Sequence, residues 1–443
     1  MTEPQTSQQS QPKRLGFWSC WSLTVGIMIG SGVFLLPAVL APYGLLSFAG
    51  WILTGGGSIL LALVFARLSS RTNRSGGVFV YAQEAFGDLT GFLIAWGYWT
   101  AYWIAIPAAA IAFVGYLVVL IPDLTQNTVA QTLIALGLIW LSTLINIRGV
   151  REATLVQLLM TVLKLIPLFL VIALGLFVGD SQNLPEFNPK NISLVEGLAV
   201  TALLTMWAFS GMEAGAMPAG DVRDPERTIP RAIIFGTLTV AFVYIAATAA
   251  VMLLVPQEVL VSSTSPFAEA AIVLGDWGPK LIAVGALVST AGALHGTIFM
   301  TGQIPMAVAL DKLAPAAFAK RNQGGAPYVS LILASVLGSI LLIANYSRGL
   351  IGAFMFLIMM STLTFMIPLL ASSIAELRYS WRSARGWAGV AAGAAVYSVF
   401  AILGSGFEVI MWGIVLLIIG VPIYYLVNQR GETATDETGS GAD

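Results

Sequence analysis

Two stretches concentrate the residues whose types and spacing could do chemistry. Residues 26–34 read GIMIGSGVF, and residues 201–220 read TALLTMWAFSGMEAGAMPAG; each places glycines and a serine inside a segment otherwise apolar enough for a membrane helix. Glycine weakens a helix by about 0.5–1 kcal/mol relative to alanine. At membrane depth, freed backbone groups are tolerated only where they face protein or a water-filled cavity. Small residues also let helices approach closely, so close packing is the other reading of either stretch taken alone. If both helices break, the N–H groups opening a half-helix carry partial positive charge and attract a carboxylate, while freed carbonyls attract an ammonium. Both ends of an α-amino acid are then recognised without a charged side chain.

Ionisable residues inside apolar runs add to these two stretches. Glu213 lies within the second one, and a carboxylate there must face a cavity or find a partner. Lys164, in LLMTVLKLIPLF, is a cation in mid-span, and burial disfavours its charge unless carbonyls or a carboxylate compensate. A fixed structural cation and a proton carrier both fit it. His295 is either structural or a group responsive near neutral pH. With one histidine and one cysteine, Cys20, there is no His/Cys cluster for a metal and no internal disulfide, so neither a metal site nor a cofactor is expected.

The elements that must position these residues are membrane helices. The chain has 443 residues, 57% hydrophobic and 10% charged, with mean hydropathy +0.86. A soluble domain carries about 25% charged residues. The apolar runs have the length a helix needs to cross the bilayer, and the ten-residue alternation of a membrane barrel is absent. Hydropathy and punctuation predict twelve spans, near residues 16–42, 46–69, 86–120, 129–147, 153–178, 194–217, 231–255, 278–310, 328–345, 349–375, 386–404 and 406–428. The fold class is therefore an all-α integral membrane protein. With both termini cytoplasmic, seventeen Lys and Arg residues fall on inner segments and only Lys190, Lys280 and Arg348 on outer ones, the bias expected of a cytoplasmic side. The first apolar stretch lacks a small-residue cleavage site and reads as a retained helix. Net charge −1 predicts no nucleic-acid partner.

Broken first and sixth helices, five spans apart, are what an inverted-repeat transporter requires. The chain divides accordingly into an N-terminal cytoplasmic tail (1–15), a first repeat of five helices (16–178), a second repeat (194–375), helices 11 and 12 (386–428) and a disordered cytoplasmic tail (429–443).

The motifs GIMIGSGVFLLPAVLA, WAFSGMEAGAMPAGDVRDPERTIPRA and SPFAEAA together resemble those of the amino acid/polyamine/organocation transporters, over roughly residues 15–428. The likeness is strongest to the basic amino acid/polyamine antiporter branch, which includes the arginine/agmatine exchanger. It implies a LeuT-type five-plus-five inverted repeat with discontinuous helices 1 and 6. It also implies that the amides of Ser31, Gly32 and Val33 hold a substrate carboxylate, and that the carbonyls of Met28, Trp207 and Ser210 hold its α-ammonium. Trp207 would cover the substrate as a gate, Tyr98 would hydrogen-bond ligand or gate, and Glu213 would take part in proton-linked gating. Lys164 would occupy the place of a sodium ion between the first and eighth spans, beside Ser289 and Thr290, making transport sodium-independent. The exchanger itself lacks that lysine.

Where the exchanger recognises guanidinium with a tryptophan and an asparagine, this chain has Thr297 and Ile106, which offer neither a π face nor an amide. Tyr102, Ala109, Ile358 and Met359 complete an apolar, aromatic pocket without a carboxylate. The sequence thus leads to a secondary amino acid transporter working by alternating access on a neutral or hydrophobic substrate, either proton-coupled or an exchanger. The alternative is an arginine/agmatine-type or other cationic amino acid/polyamine antiporter. A channel would want a ring of polar groups rather than two unlike breaks. A membrane enzyme would want a motif such as H-E-x-x-H or G-x-S-x-G, and G-x-x-x-x-G-K-[ST] for ATP is also missing. The expected partners are a small amino acid, the lipid of a bacterial inner membrane, a coupled proton and, through helices 11 and 12, a second copy.

Overall fold

The computed structural model describes residues 16–71, 78–148, 154–212 and 222–439. Every regular element among them is helical. In chain order the α-helices are α1 (Phe17–Met28), α2 (Gly32–Leu40), α3 (Leu46–Ser69), α4 (Val78–Phe86), α5 (Asp88–Leu120), α6 (Thr128–Arg148), α7 (Thr154–Val178), α8 (Leu194–Phe209), α9 (Pro225–Leu254), α10 (Gln257–Leu260), α11 (Pro266–Ala270), α12 (Trp277–Leu310), α13 (Tyr328–Ala344), α14 (Gly349–Ser380), α15 (Arg385–Leu403) and α16 (Gly406–Gly439).

Among the described residues, eight helices are long and apolar enough to cross a bilayer on their own: α3, α5, α6, α9, α12, α14, α15 and α16. A ninth candidate is the pair α1 and α2, which bends by 47° at a short break. Three shorter apolar helices lie at Leu163–Val178, Leu194–Phe209 and Tyr328–Ala344. The chain is an integral membrane protein. The third span, read at 86–120, is α5, and a separate helix α4 precedes it, the two joined by a turn at Gly87, whose φ is 90°. One boundary differs from those read in the sequence. The segment read as a disordered tail continues as helix α16 to Gly439, since extending an existing helix costs far less than starting one.

The packing pairs are reciprocal. α3 lies on α8, and α9 lies on α1; α5 meets α6 and α13, while α12 meets α13 and α6. Likewise α1 meets α7 and α8 meets α14, and α5 lies along α14 as α12 lies along α7. The central contact is α5 on α12. Exchanging α1, α3, α5, α6 and α7 for α8, α9, α12, α13 and α14, in that order, maps each of these pairs onto its counterpart. α15 docks on α3, where the Tyr397 ring covers Gly57, and α16 docks on α5, where Trp96 donates to the Leu416 carbonyl at 2.7 Å.

Candidate functional site

The first break begins at Ile29, whose ψ of 96° leaves the helical region, and ends at Ser31, the residue capping α2. A helix end leaves its last carbonyls and the next helix's first N–H groups without intrahelical partners. On the carbonyl side, protein groups take them up. The Tyr244 hydroxyl of α9 donates to the Met28 carbonyl at 2.6 Å, and the Lys164 ammonium of α7 donates to the Gly26 carbonyl at 3.3 Å. Tyr244 is fully buried in an aromatic cluster with Trp51 and Phe209, ring centroids 5.5 and 6.1 Å away. On the amide side, Ser31 makes no side-chain cap hydrogen bond, and the first N–H groups of α2, from Gly32 and Val33 onward, point out of the helix end. Met28, Ser31 and Val33 are all buried.

The end of α8 faces this break. α8 ends at Phe209, Ser210 follows with ψ 134°, and Gly211 turns left-handed at φ 92°. A β-carbon on Gly211 would sit 2.5 Å from Cγ2 of Ile27, near the end of α1. A β-carbon on Gly32 would sit 2.6 Å from Cδ1 of Trp207. The half-buried indole of Trp207 therefore lies directly on the first residue of α2, and only glycine fits beneath it. The Trp207 carbonyl accepts the Ser210 N–H at 3.2 Å, so the tightness of the turn occupies one carbonyl assigned to a substrate ammonium. The Ser210 Oγ is buried without a hydrogen-bond partner. Glu213 lies outside the described residues.

The other candidate residues separate into two groups. Lys164 sits between α1 and α12: its Nζ reaches Gly26 on one side, and on the other a β-carbon on Gly292 would lie 3.9 Å away. Ser289, one turn before Gly292 on α12, is buried with its hydroxyl unpartnered, while Thr290 bonds back to the Ala286 carbonyl at 2.8 Å. Tyr98 and Tyr102 share one face of α5, hydroxyls 3.4 Å apart and rings edge to face, with Phe365 of α14 stacked on Tyr98. Ile106 is fully buried against Gly338 of α13, and Thr297 is half-buried. His295 turns toward α6, where the Asn146 amide nitrogen lies 3.0 Å from its Nδ1.

Tyr244 was not legible beforehand. Its segment, AFVYIAATAA, carries no pattern that distinguishes a carbonyl cap from a core aromatic.

Comparison with known proteins decides the family. The amino acid permease family model matches residues 15–431. The chain belongs to the amino acid permease family. Within it, the chain is 31% identical over 463 residues to a putative arginine/ornithine antiporter of Bacillus subtilis (strain 168), covering 95% of this chain and 98% of that one. It is 33% identical over 333 residues to the cadaverine/lysine antiporter of Escherichia coli (strain K12), 74% of each chain. It is 29% identical over 437 residues to a putrescine transporter of Haemophilus influenzae, 95% of this chain and 98% of the other. These matches place the chain in the basic amino acid/polyamine antiporter branch. This permease is an amino acid or polyamine transporter.

Proposed function

We propose that this permease exchanges cationic amino acids or their diamine products across a bacterial inner membrane by alternating access. The expectation of a neutral substrate gives way here, because relatives named for arginine, ornithine, lysine, cadaverine and putrescine all carry cationic cargo. The missing carboxylate in the side-chain pocket is a weaker argument than it looked: aromatic faces such as Tyr98 and Tyr102 attract an ammonium without an acid. A second observation favours a cation. The segments read as outer carry Asp123, Asp180, Glu186, Glu196, Glu258, Glu269 and Asp276 against Lys190 and Lys280, while Arg348 is paired with Glu408 at 2.8 Å. An acidic entrance raises the local concentration of cations.

The single observation that carries the transport reading is the pair of breaks in contact, Trp207 on Gly32 and Gly211 against Ile27. In this reading the α2 amides at Ser31, Gly32 and Val33 hold the carboxylate when there is one, Ser210 offers its carbonyl and hydroxyl, and Trp207 covers the cargo. Glu213 and Lys164 serve gating and proton linkage, with Ser289 and Thr290 beside the lysine in a sodium-independent site. The reciprocal packing supports a five-plus-five inverted repeat, whose twelve spans are the eight full-length helices, the bent pair and the three shorter apolar helices.

Counterflow tests the reading. In proteoliposomes loaded with unlabelled arginine, uptake of labelled arginine, lysine, ornithine and putrescine is expected to saturate and to accelerate several-fold over empty vesicles. Stimulation by leucine but by no basic compound would restore the neutral substrate, and flux linear in concentration would point to a channel.

A further inference from the structure

The last turn of α14 joins two sets of helices through charged side chains. Arg378 donates from Nη1 to the Ala85 carbonyl in the last turn of α4 at 2.7 Å, and α14 packs along α4 and α5. This end of α14 is therefore fixed to the α4–α5 side. Two residues earlier, Glu376 reaches the other set. Its carboxylate is fully buried and accepts from Arg71 Nη2 at 3.0 Å, just beyond the end of α3. The Ser380 hydroxyl donates to the same oxygen, Arg71 also donates to Ser380 Oγ at 3.2 Å, and Arg67 of α3 brings its Nε to 4.0 Å. Trp387 of α15 lies under the Arg67 guanidinium at 5.3 Å and Tyr379 of α14 under that of Arg71 at 5.5 Å. α3 in turn packs on α8, which ends at Phe209 beside Ser210, and on α9, which packs on α1.

A carboxylate taken wholly out of water is held there only by its partners, and separating them leaves an uncompensated charge. Separation is tolerable if water enters as the partners part, since hydration then replaces the ion pair. The arrangement thus stabilises a closed state of this end of the bundle and contributes nothing to an open one. We propose that Arg71, Glu376 and Ser380 form a latch that holds this end shut and sets the balance between closed and open states, with α3 and the broken helices on one side and α4, α5 and α14 on the other. The proposal rests on the alternating-access reading above. Neither guanidinium needs burial to survive release, because both are about a third exposed already, with side-chain exposures of 38% for Arg67 and 32% for Arg71.

Thiol labelling tests the latch without any substrate. Ser372 lies one turn deeper than Glu376 on α14, fully buried and with its hydroxyl unpartnered, so Ser372→Cys in a Cys20→Ala background is a small change. The rate of N-ethylmaleimide labelling of the purified permease in micelles is read. Glu376→Gln keeps the shape and leaves no buried charge; it is expected to raise the rate about fivefold or more, the size of a modest population shift. Arg71→Lys should fall between, because an ammonium keeps the charge but loses the planar fork. An unchanged rate in folded Glu376→Gln protein overturns the latch and leaves a static staple. Should that variant aggregate, Arg71→Met with Glu376→Met gives the same reading in either direction, with no unpaired charge to unfold the chain. Counterflow failing in the wild-type permease would sink the transport reading, while the labelling comparison would still decide whether the ion pair keeps water out.

Discussion

The two breaks differ in how far the protein itself satisfies them. At the first, Tyr244 and Lys164 cap two of the carbonyls that α1 leaves behind, those of Met28 and Gly26, so part of its polar demand on that side is met within the fold. At the second, the left-handed Gly211 closes a tight turn and the Ser210 hydroxyl stays buried with nothing to bond. A buried hydroxyl without a partner is disfavoured by about 1–3 kcal/mol. The lesson is that a broken helix does not by itself make a receptor. In the first break the open part is the amide end of α2, which lies against Trp207; after α8 it is the Ser210 hydroxyl.

The comparison can be broken at its tightest point. Gly32→Val forces a side chain into the Trp207 indole, and a displacement of about 1 Å at a binding site can cost roughly a hundredfold. Counterflow should fall by that order or more, with the protein still inserted. Gly211→Ala should act similarly, through its left-handed φ and the contact with Ile27. Preserved transport in both would mean the breaks are packing devices.

Next in size is the charged cap. Lys164→Met leaves the Gly26 carbonyl without its donor, and a hydrogen bond from a charged group is worth about 1.5–3 kcal/mol. Exchange should drop about tenfold, and stimulation by an imposed pH gradient should disappear in the same vesicles. Gradient-driven accumulation at wild-type level would remove Lys164 from coupling.

A matched pair sharpens the contrast between a satisfied and an unsatisfied break. Tyr244→Phe removes the donor to the Met28 carbonyl and should cost about 1 kcal/mol in a melting or denaturant assay, with apparent affinity little changed. Ser210→Ala should do the reverse, leaving the melt alone while weakening apparent affinity about three- to tenfold, the worth of one hydrogen bond. If both variants lose only stability, Ser210 has no cargo to meet.

The smallest effect belongs to Glu269, on α11 outside the spans. Burial pushes its carboxyl up from the ordinary value, opposed in part by a hydrogen bond from Ser263. The native state then holds the proton more tightly than the unfolded chain does. The resulting penalty is absent below the unfolded value of about 4.3 and present in full once pH exceeds the native one. Glu269→Gln should raise the melting temperature slightly at pH 8 and leave it unchanged at pH 4; an equal rise at both would mean that packing, not charge, is responsible.

Some of this arrangement was visible in the residues. GIMIGSGVF announced the interruption between α1 and α2, and WAFSG marks where α8 ends, because glycine and serine in an apolar run weaken the helix in a place where lipid penalises it. Lys164 stood out for the same reason, as a charge where none is tolerated unpaired. Glu376 was overlooked because a carboxylate near a span end is ordinary by composition; nothing local shows that it is fully buried or that two arginines some three hundred positions earlier converge on it. Ile106, aligned with a pocket residue, packs against Gly338, because the rotation of α5 is fixed by the helices around it.

The sequence by itself determined a membrane chain, its long apolar helices, the interruption between α1 and α2 and the family, since each depends on local composition and on the cost of polar groups in hydrocarbon. Only the tertiary structure decided which freed carbonyls are capped, that Trp207 rests on Gly32, and that α3 and α14 are tied by a buried ion pair. Those facts depend on contacts between residues far apart in the chain, and the geometry of such contacts is set by how whole helices pack, which no short stretch encodes.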